Sequence, residues 1–417
     1  MTLDLTADGA PAQDLAGASS ARQPAPSHSM APSSTAPRRR GGRRVAIVHY
    51  WLVAMRGGEK VVEELCRMYP EADIFTLVCD RDKLSDTLKR HEIRTSFLQR
   101  IPGARKHYTK FLPLMPFALE HLDLQDYDLV ISSESGPAKG IITRPDALHI
   151  CYCHSPMRYI WDQFHLYRQE LGFAGRMMMT LAGPPLRAWD VTTSARVDAF
   201  VANSAHVGRR IRRFYNRDSS VIHPPVAVDD FVQGSGPGEF YLYAGQLTAY
   251  KRADIAVKAC SESRRPLVVI GEGEQTERLK AMAGPTVTFL GRQPFDVLKD
   301  HLSRCKALLF PGVEDFGILP VEAMASGRPV IAYAEGGVCE TVTSPDVGLW
   351  FQEQTTESLL GALSDFESIE HRMDPATIRR HAQSFSTDVF RRTMGDFIET
   401  RWARHVAGSS AGHGAGA

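Results

Sequence analysis

Two carboxylates frame the sharpest chemical signal in the chain: Glu314 and Glu322 enclose Asp315-Phe316-Gly317-Ile318-Leu319-Pro320-Val321. Pro320 suits the first turn of a helix, where its missing N–H is not needed, and Gly327 marks the stop. The spacing therefore predicts Glu322 in the first helical turn, where the helix dipole favours a carboxylate. A carboxylate so placed can accept both hydroxyls of a ribose, through charged hydrogen bonds worth about 1.5–3 kcal/mol each. Glu314, a loop away, can face a sugar or its reacting carbon. Spacing alone leaves a plainer reading open, in which Glu322 only stabilises the helix start and Glu314 is solvated.

Lys251 and Arg252 open a predicted helix after Gly245-Gln246-Leu247. Two cations at a cleft mouth, near a helix N-terminus, suit a diphosphate leaving group, although both can equally be surface residues of an ordinary helix. Gly57-Gly58 lets backbone N–H groups approach a phosphate or sugar closely. His154 ends an apolar strand before Ser155-Pro156, so its ring is expected in the cleft, with a packed core histidine as the alternative. Two further signals fail. Gly271-Glu272-Gly273 begins like a dinucleotide fingerprint but has Thr276 where the third glycine belongs. Asp126-Tyr127-Asp128 resembles a metal-bridging pair but opens a strand, at the wrong end of a sheet for a site. No metal site is expected.

The elements that must hold these groups alternate short β-rich runs with helical patterns, the signature of parallel α/β sheets. Strands are predicted at 44–51, 73–78, 127–133, 148–153 and 198–203, with helices at 58–68 and 205–214. A second series has strands at 240–244, 267–270, 287–290, 307–311 and 329–332. The fold class is α/β, with two Rossmann-like halves meeting near residues 224–238, where Gly234 to Gly238 reads as a flexible connection. The motif loops follow the carboxyl ends of strands in both halves, where open α/β sheets bind ligands, so they are expected to line one cleft. The Ala-, Ser-, Pro- and Gly-rich residues 1–42, and the tail from 404 to 417, are expected to be disordered.

A chain of 417 residues is long enough for two cores, and its net charge of +1 argues against a dedicated nucleic-acid binder. Seven cysteines, mostly in apolar runs, fit reduced thiols rather than a disulfide framework. No apolar run approaches the roughly 20 residues that span a bilayer. Arg43-Arg44 precedes a first strand rather than a twin-arginine leader.

With these residues in place, the chain resembles family 4 glycosyltransferases, retaining enzymes of GT-B fold. The resemblance rests on Glu-x7-Glu at Glu314 and Glu322, on Gly57-Gly58 after the first strand, and on Gly245 to Arg252, and it runs from about Arg44 to Trp402. It implies that Lys251 contacts the donor diphosphate, Glu322 the ribose and Glu314 the donor sugar, with His154 beside that sugar. Gly57, Gly58, Gln246, Arg252, Glu272, Phe316, Gly317 and Ile318 complete the expected donor site. Many family members carry Arg where this chain has Gln246, so Arg252 is expected to share the load. The resemblance further implies catalysis without a metal or other cofactor, a first domain at 43–225 for the acceptor and a second at 226–386 for the donor. It also implies a last helix at 387–403 packed back on the first domain.

Within the family, His49-Tyr50-Trp51-Leu52, Gly57 to Lys60, His154 to Asp162 and Val221 to Val226 resemble bacterial mannosyltransferases of exopolysaccharide or O-antigen assembly. That implies GDP-mannose as donor, with a UDP-sugar as the alternative. It also implies a polyprenyl-diphosphate-linked acceptor and a peripheral place on the cytoplasmic face of the plasma membrane. A lipid-linked acceptor predicts a basic, partly apolar surface, and Arg94 to Lys110 fits. Arg100, Arg105, Lys106 and Lys110 appear there without an acidic residue between them, for contact with an anionic membrane. A sugar-nucleotide epimerase and a non-catalytic nucleotide-sugar scaffold are the rivals, and a dinucleotide oxidoreductase is disfavoured by the broken glycine fingerprint.

Overall fold

The structure, a computed structural model, describes residues 42–236 and 238–413. The expectation for residues 1–42 lies almost wholly outside the described residues. Two parallel sheets organise the chain. The first contains β1 (Val45–His49), β2 (Asp73–Thr76), β3 (Ile93–Thr95), β4 (Leu129–Glu134), β5 (Leu148–Cys153), β6 (Ala199–Ala202) and β7 (Ser219–Val221), in the order β3-β2-β1-β4-β5-β6-β7. The second contains β8 (Tyr241–Ala244), β9 (Leu267–Ile270), β10 (Val287–Gly291), β11 (Ala307–Phe310), β12 (Val330–Tyr333) and β13 (Gly348–Phe351), in the order β10-β9-β8-β11-β12-β13. In both sheets the order reverses beside the first strand, which leaves a crevice at the carboxyl edge.

The strands are apolar almost throughout because both sheet faces are covered. Ile47, Ile74, Ile131 and Ile150 point into one core layer, while Ala46, Val48, Phe75 and Val130 point into the layer on the opposite face. The second domain repeats the alternation, with Leu242, Leu308 and Val330 on one side and Tyr241, Ala307, Leu309 and Ile331 on the other. Three strands escape sequence reading: β3, β7 and β13. Each ends a sheet, and Ile-Arg-Thr or Ser-Ser-Val carries no apolar run because a pairing edge needs backbone more than buried side chains.

Two expectations need correction. Gly234 to Gly238 is no loose connection: a Cβ on Gly234 would lie 1.9 Å from the Ser303 carbonyl oxygen, and Arg328 donates to the Gly236 carbonyl. Gly234 and Gly238 let backbone pass against backbone, and Gly236 adopts φ +78°. The last helix runs from Thr387 to His413, ten residues past position 403, because no proline or strong turn signal interrupts Ala403 to Gly408. Its Phe390, Met394 and Ile398 are buried in the first domain's core beside Val61, Val62 and Leu65.

Candidate functional site

A cleft of about 630 Å³ separates the two domains at the carboxyl ends of their strands. Gly57, Gly58 and His154 line it from the first domain, and Gln246, Lys251, Glu314, Phe316, Gly317, Ile318 and Glu322 from the second. Gly57 begins the helix Gly57–Met68 directly opposite the second domain, where an added Cβ would meet Ile318 Cδ1 at 2.8 Å. Any larger residue there would require the Ile318 side chain to shift.

The carboxylates are arranged differently from the sequence expectation. The helix runs Ile318–Ala325, so Pro320 is its third residue and Glu322 lies beyond the first turn. The helix can start that early because its first four N–H groups lack partners anyway, and Pro320 sacrifices nothing there. Glu322 is buried on the cleft wall, and its Oε1 lies 3.2 Å from Lys60 Nζ of the first domain. Glu314 Oε1 accepts from Lys251 Nζ at 2.7 Å. Burial alone would raise Glu314, but Lys251 overrules it and holds the carboxyl below its ordinary value.

Asp315, between these two, was missed as a site residue. Arg158 Nη2 reaches its Oδ2 at 2.6 Å and Arg210 Nη1 its Oδ1 at 2.9 Å, and both arginines belong to the first domain. Burial pushes Asp315 up, yet the two guanidinium groups bring it down to about 2. Arg158 lines the cleft, and its buried Nε has no protein partner. Ser204 Oγ donates to the Asp315 carbonyl, and Glu340 accepts the N–H groups of Ala205 and His206 at 2.7 and 3.0 Å, at the N-terminus of helix Ala205–Tyr215. The domain interface beside the cleft is therefore built of charge-assisted bonds. Arg158 stands in the quoted His154 to Asp162 stretch, and that position was the only sequence signal for it.

His154 Nε2 lies 2.8 Å from Ser133 Oγ, and that hydroxyl lies 3.1 Å from His49 Nδ1. His49 Nδ1 also lies 3.1 Å from the Ser133 carbonyl oxygen, which only accepts, so His49 Nδ1–H donates and the Ser133 hydroxyl proton serves His154 Nε2. His49 Nε2 continues toward Glu59 Oε1 at 3.8 Å. Burial, reinforced by His49, lowers His154 to about 3. The imidazole is therefore neutral throughout the neutral range. The kcat/KM profile between pH 5 and 8 is expected to carry no limb from His154, and a His154→Asn variant should keep the wild-type profile shape at lower amplitude. A limb near pH 6.5 that vanishes in this variant would contradict the assignment.

Arg252 and Glu272 are not on the cleft wall. Arg252 adopts φ +52° as the cap of helix Ala253–Glu262, and this turns its guanidinium to Asp254 at 3.1 Å and Gln354 at 3.0 Å. It faces a smaller recess with Gln275 and Arg278. Glu272 lies beside Gly291. Arg100, Arg105, Lys106 and Lys110 are exposed on the first domain, outside the cleft. Among the described residues, no three His, Cys, Asp or Glu side chains cluster as metal ligands. Asp126 and Asp128 pair with Arg44 and Arg144 at the amino end of β4.

Two facing parallel-sheet domains with a charged cleft at their carboxyl edges define the GT-B fold. Residues 55–230 match the family model described as Glycosyltransferase Family 4, and residues 229–383 that described as Glycosyl transferases group 1. With its two domains matched in succession, the chain belongs to the GT-B glycosyltransferase family.

The D-inositol 3-phosphate glycosyltransferase of Streptomyces griseus subsp. griseus is 27% identical over 268 residues, covering 52% of this chain and 57% of that protein. The O-antigen chain mannosyltransferase RfbU of Salmonella typhimurium is 34% identical over 133 residues, covering 29% and 38%. The chain thus spans little more than half the length of these curated relatives at most. Sucrose-phosphate synthase from Thermosynechococcus elongatus superposes with a TM-score of 0.65 at 17% identity, covering 87% of this chain and 100% of that one. Anabaena HepE in complex with UDP-glucose gives 0.62 at 15%, covering 85% and 99%. These structural likenesses show the fold.

Proposed function

We propose that this protein transfers a hexose from a nucleotide-sugar donor with retention of configuration, using mannose from GDP-mannose and a lipid-linked oligosaccharide acceptor. The observation that carries the reading is the convergence of Lys251, Glu314, Glu322 and His154 on one interdomain cleft. Lys251 and the amide of Gln246 face the departing diphosphate, and stabilising charge as it develops there lowers the barrier. Glu322 holds the ribose, Glu314 and neutral His154 orient the sugar, and the acceptor hydroxyl attacks the face from which the diphosphate leaves. A leaving phosphate oxygen takes the hydroxyl proton. No metal enters this scheme. The likeness to the O-antigen mannosyltransferase supports mannose.

A second reading is favoured by the first-domain wall, where Arg56, Lys60 and Arg158 line the cleft. Such a wall also suits a phosphorylated polyol, and the inositol phosphate glycosyltransferases are relatives over a longer stretch.

Labelled GDP- and UDP-sugars, each offered with membrane lipids or with inositol phosphate, and with or without chelator, separate these readings. Label from GDP-mannose entering lipid extract, unaffected by chelator, is the expected result. Label only in inositol phosphate would replace the acceptor, and tight nucleotide binding without any transfer or hydrolysis would indicate a scaffold.

Glu322→Ala is expected to weaken nucleotide binding about 10- to 100-fold, the worth of one charged hydrogen bond or more. Calorimetric titration reads this directly, and unchanged affinity would remove Glu322 from the ribose site.

A further inference from the structure

Helix Phe173–Ser194 turns a line of apolar groups outward that no other part of the described chain covers. Phe173 is 81% exposed, Leu181 69% and Met177 49%. Pro184, Ala188 and Val191 continue the line, all exposed. At about 100° per residue these six positions fall within a sector of about 80°, along roughly 27 Å of helix. An apolar face of this length is far from the scattered single exposures of an ordinary surface. The opposite side of the same helix is buried: Leu186 packs with Tyr159 and Tyr167, which line the interdomain cleft. The helix is thus the outer wall of the cleft's first-domain side.

The exposed face adjoins a second patch. Trp189 donates to Glu120 at 3.1 Å, and one turn back from Glu120 lies Phe117, 58% exposed, with its ring 5.8 Å from that of Phe97. Around these rings Arg100, Arg105, Lys106 and Lys110 are exposed, and no Asp or Glu occurs from Ile93 to Leu119 or from Leu171 to Trp189. Arg176 is exposed within the helix. Glu120, between the two patches, is paired with Arg196 at 2.7 Å, so apolar side chains rimmed by cations unpaired among the described residues match one surface chemistry, a bilayer with anionic headgroups. No helix among the described residues is long and apolar enough to cross a membrane. Pro184 and Pro185 withhold the N–H groups that would bond the Thr180 and Leu181 carbonyls.

We propose that the outer face of helix Phe173–Ser194, together with the basic strip from Phe97 to Phe117, seats the protein on an anionic lipid surface, with Phe173, Met177 and Leu181 immersed. The inference rests on the lipid-linked acceptor of the proposed function and adds the surface and its geometry. A helix about 10 Å across separates the bilayer from the cleft wall. A lipid-borne acceptor therefore reaches the cleft over Tyr159 and Tyr167 without leaving its membrane.

The test is co-sedimentation of the full chain with phosphatidylcholine vesicles, with or without phosphatidylglycerol. The variants are Phe173→Glu/Leu181→Glu, the milder Phe173→Ser/Leu181→Ser, and Arg105→Glu/Lys106→Glu, with melting midpoint and gel filtration checked for each. Wild type is expected to bind only vesicles that contain phosphatidylglycerol. Both helix variants should lose about tenfold or more in partitioning at an unchanged midpoint. The basic variant should lose binding at low salt.

Wild type left in the supernatant at low salt would overturn the proposal, as would helix variants that bind like wild type. So would a dimer that the helix variants dissolve without altering vesicle binding. Transfer to a detergent-dispersed lipid acceptor, assayed in parallel, keeps the two readings apart. Transfer without vesicle binding sinks the docking face alone, and vesicle binding without transfer sinks the transferase reading alone.

Discussion

Lys251→Ala is expected to lower kcat about 10²–10³-fold, while the protein still folds and still binds nucleotide. The size of the effect follows from the way the second domain distributes its cations. Gln246 carries no charge, and Arg252 has turned to Asp254 and Gln354, so on the second domain's wall of the cleft the diphosphate would face Lys251. Arg252→Ala is therefore expected to change kcat far less than Lys251→Ala. The pair Lys251–Glu314 complicates the single variant, because removing the lysine leaves a buried carboxylate alone. Lys251→Arg, which retains the charge, should recover part of the rate, and Lys251→Ala/Glu314→Ala should restore folding stability without restoring turnover. Steady-state kinetics on the four proteins decide the matter. Equal losses for Lys251→Ala and Arg252→Ala would mean that the cleft rearranges and brings Arg252 in. The Glu314 carboxyl lies below its ordinary value in the fold, so the stability it adds is present above its unfolded pKa and disappears as pH falls through the folded one.

Lys139→Met is expected to carry the largest stability cost, about 3–5 kcal/mol in the first domain's unfolding. Lys139 is wholly buried, 3.1 Å from Glu134 Oε1 and bonded to Asp190, over the ring of Tyr215. Asp190 also accepts from Trp161 Nε1 at 2.7 Å, and the Lys139 backbone N–H donates to Glu134 at 2.6 Å. Removing the ammonium leaves two carboxylates facing each other without water. One cation between two anions already carries a surplus of negative charge, and burial, joined by Asp190, raises Glu134 to about 7. A carboxyl raised in the fold stabilises below its unfolded pKa and loses that contribution as pH rises through the folded value. Stability is therefore expected to fall between about pH 5 and 8, and Glu134→Gln should remove that slope. Urea midpoints at three pH values test both claims, and a flat profile in the wild type would contradict the protonation of Glu134. The consequence reaches the cleft, because the Glu134 carbonyl accepts the backbone N–H of His154 at 2.6 Å.

Local pattern carried much of this protein into view. Apolar runs such as Leu148–Cys153 and Leu267–Ile270 read as strands because both faces of a parallel sheet are buried, so the chemistry of one segment suffices. The loops after them follow from the same rule, since a crevice opens wherever the strand order reverses. Glu314, Glu322, Lys251 and His154 were accordingly legible as residues of the cleft before any contact was known. The edge strands β3 and β7 were not, because their stability comes from a neighbour's backbone, and β13 was missed although its Phe351 is buried in the core.

What the tertiary structure alone decided is which charges meet. Arg252 was expected beside Lys251, yet one residue in the left-handed region redirected it to Asp254, and no local pattern encodes that turn. Asp315 joins Arg158 and Arg210 across 157 and 105 positions of chain respectively, and Lys139 finds Asp190 across 51. The apolar line on helix Phe173–Ser194 could be read as a core face from its residue types. Only the packed fold shows that Leu186 faces inward and Phe173 outward. By itself the sequence determined the alternation of strands and helices and the loops that carry chemistry, because burial and backbone preference act over a few residues. The cation that lines the cleft, the carboxylate that joins the domains and the face that turns to solvent were decided only in three dimensions, because Coulomb attraction and exposure depend on distances that the folded chain alone sets.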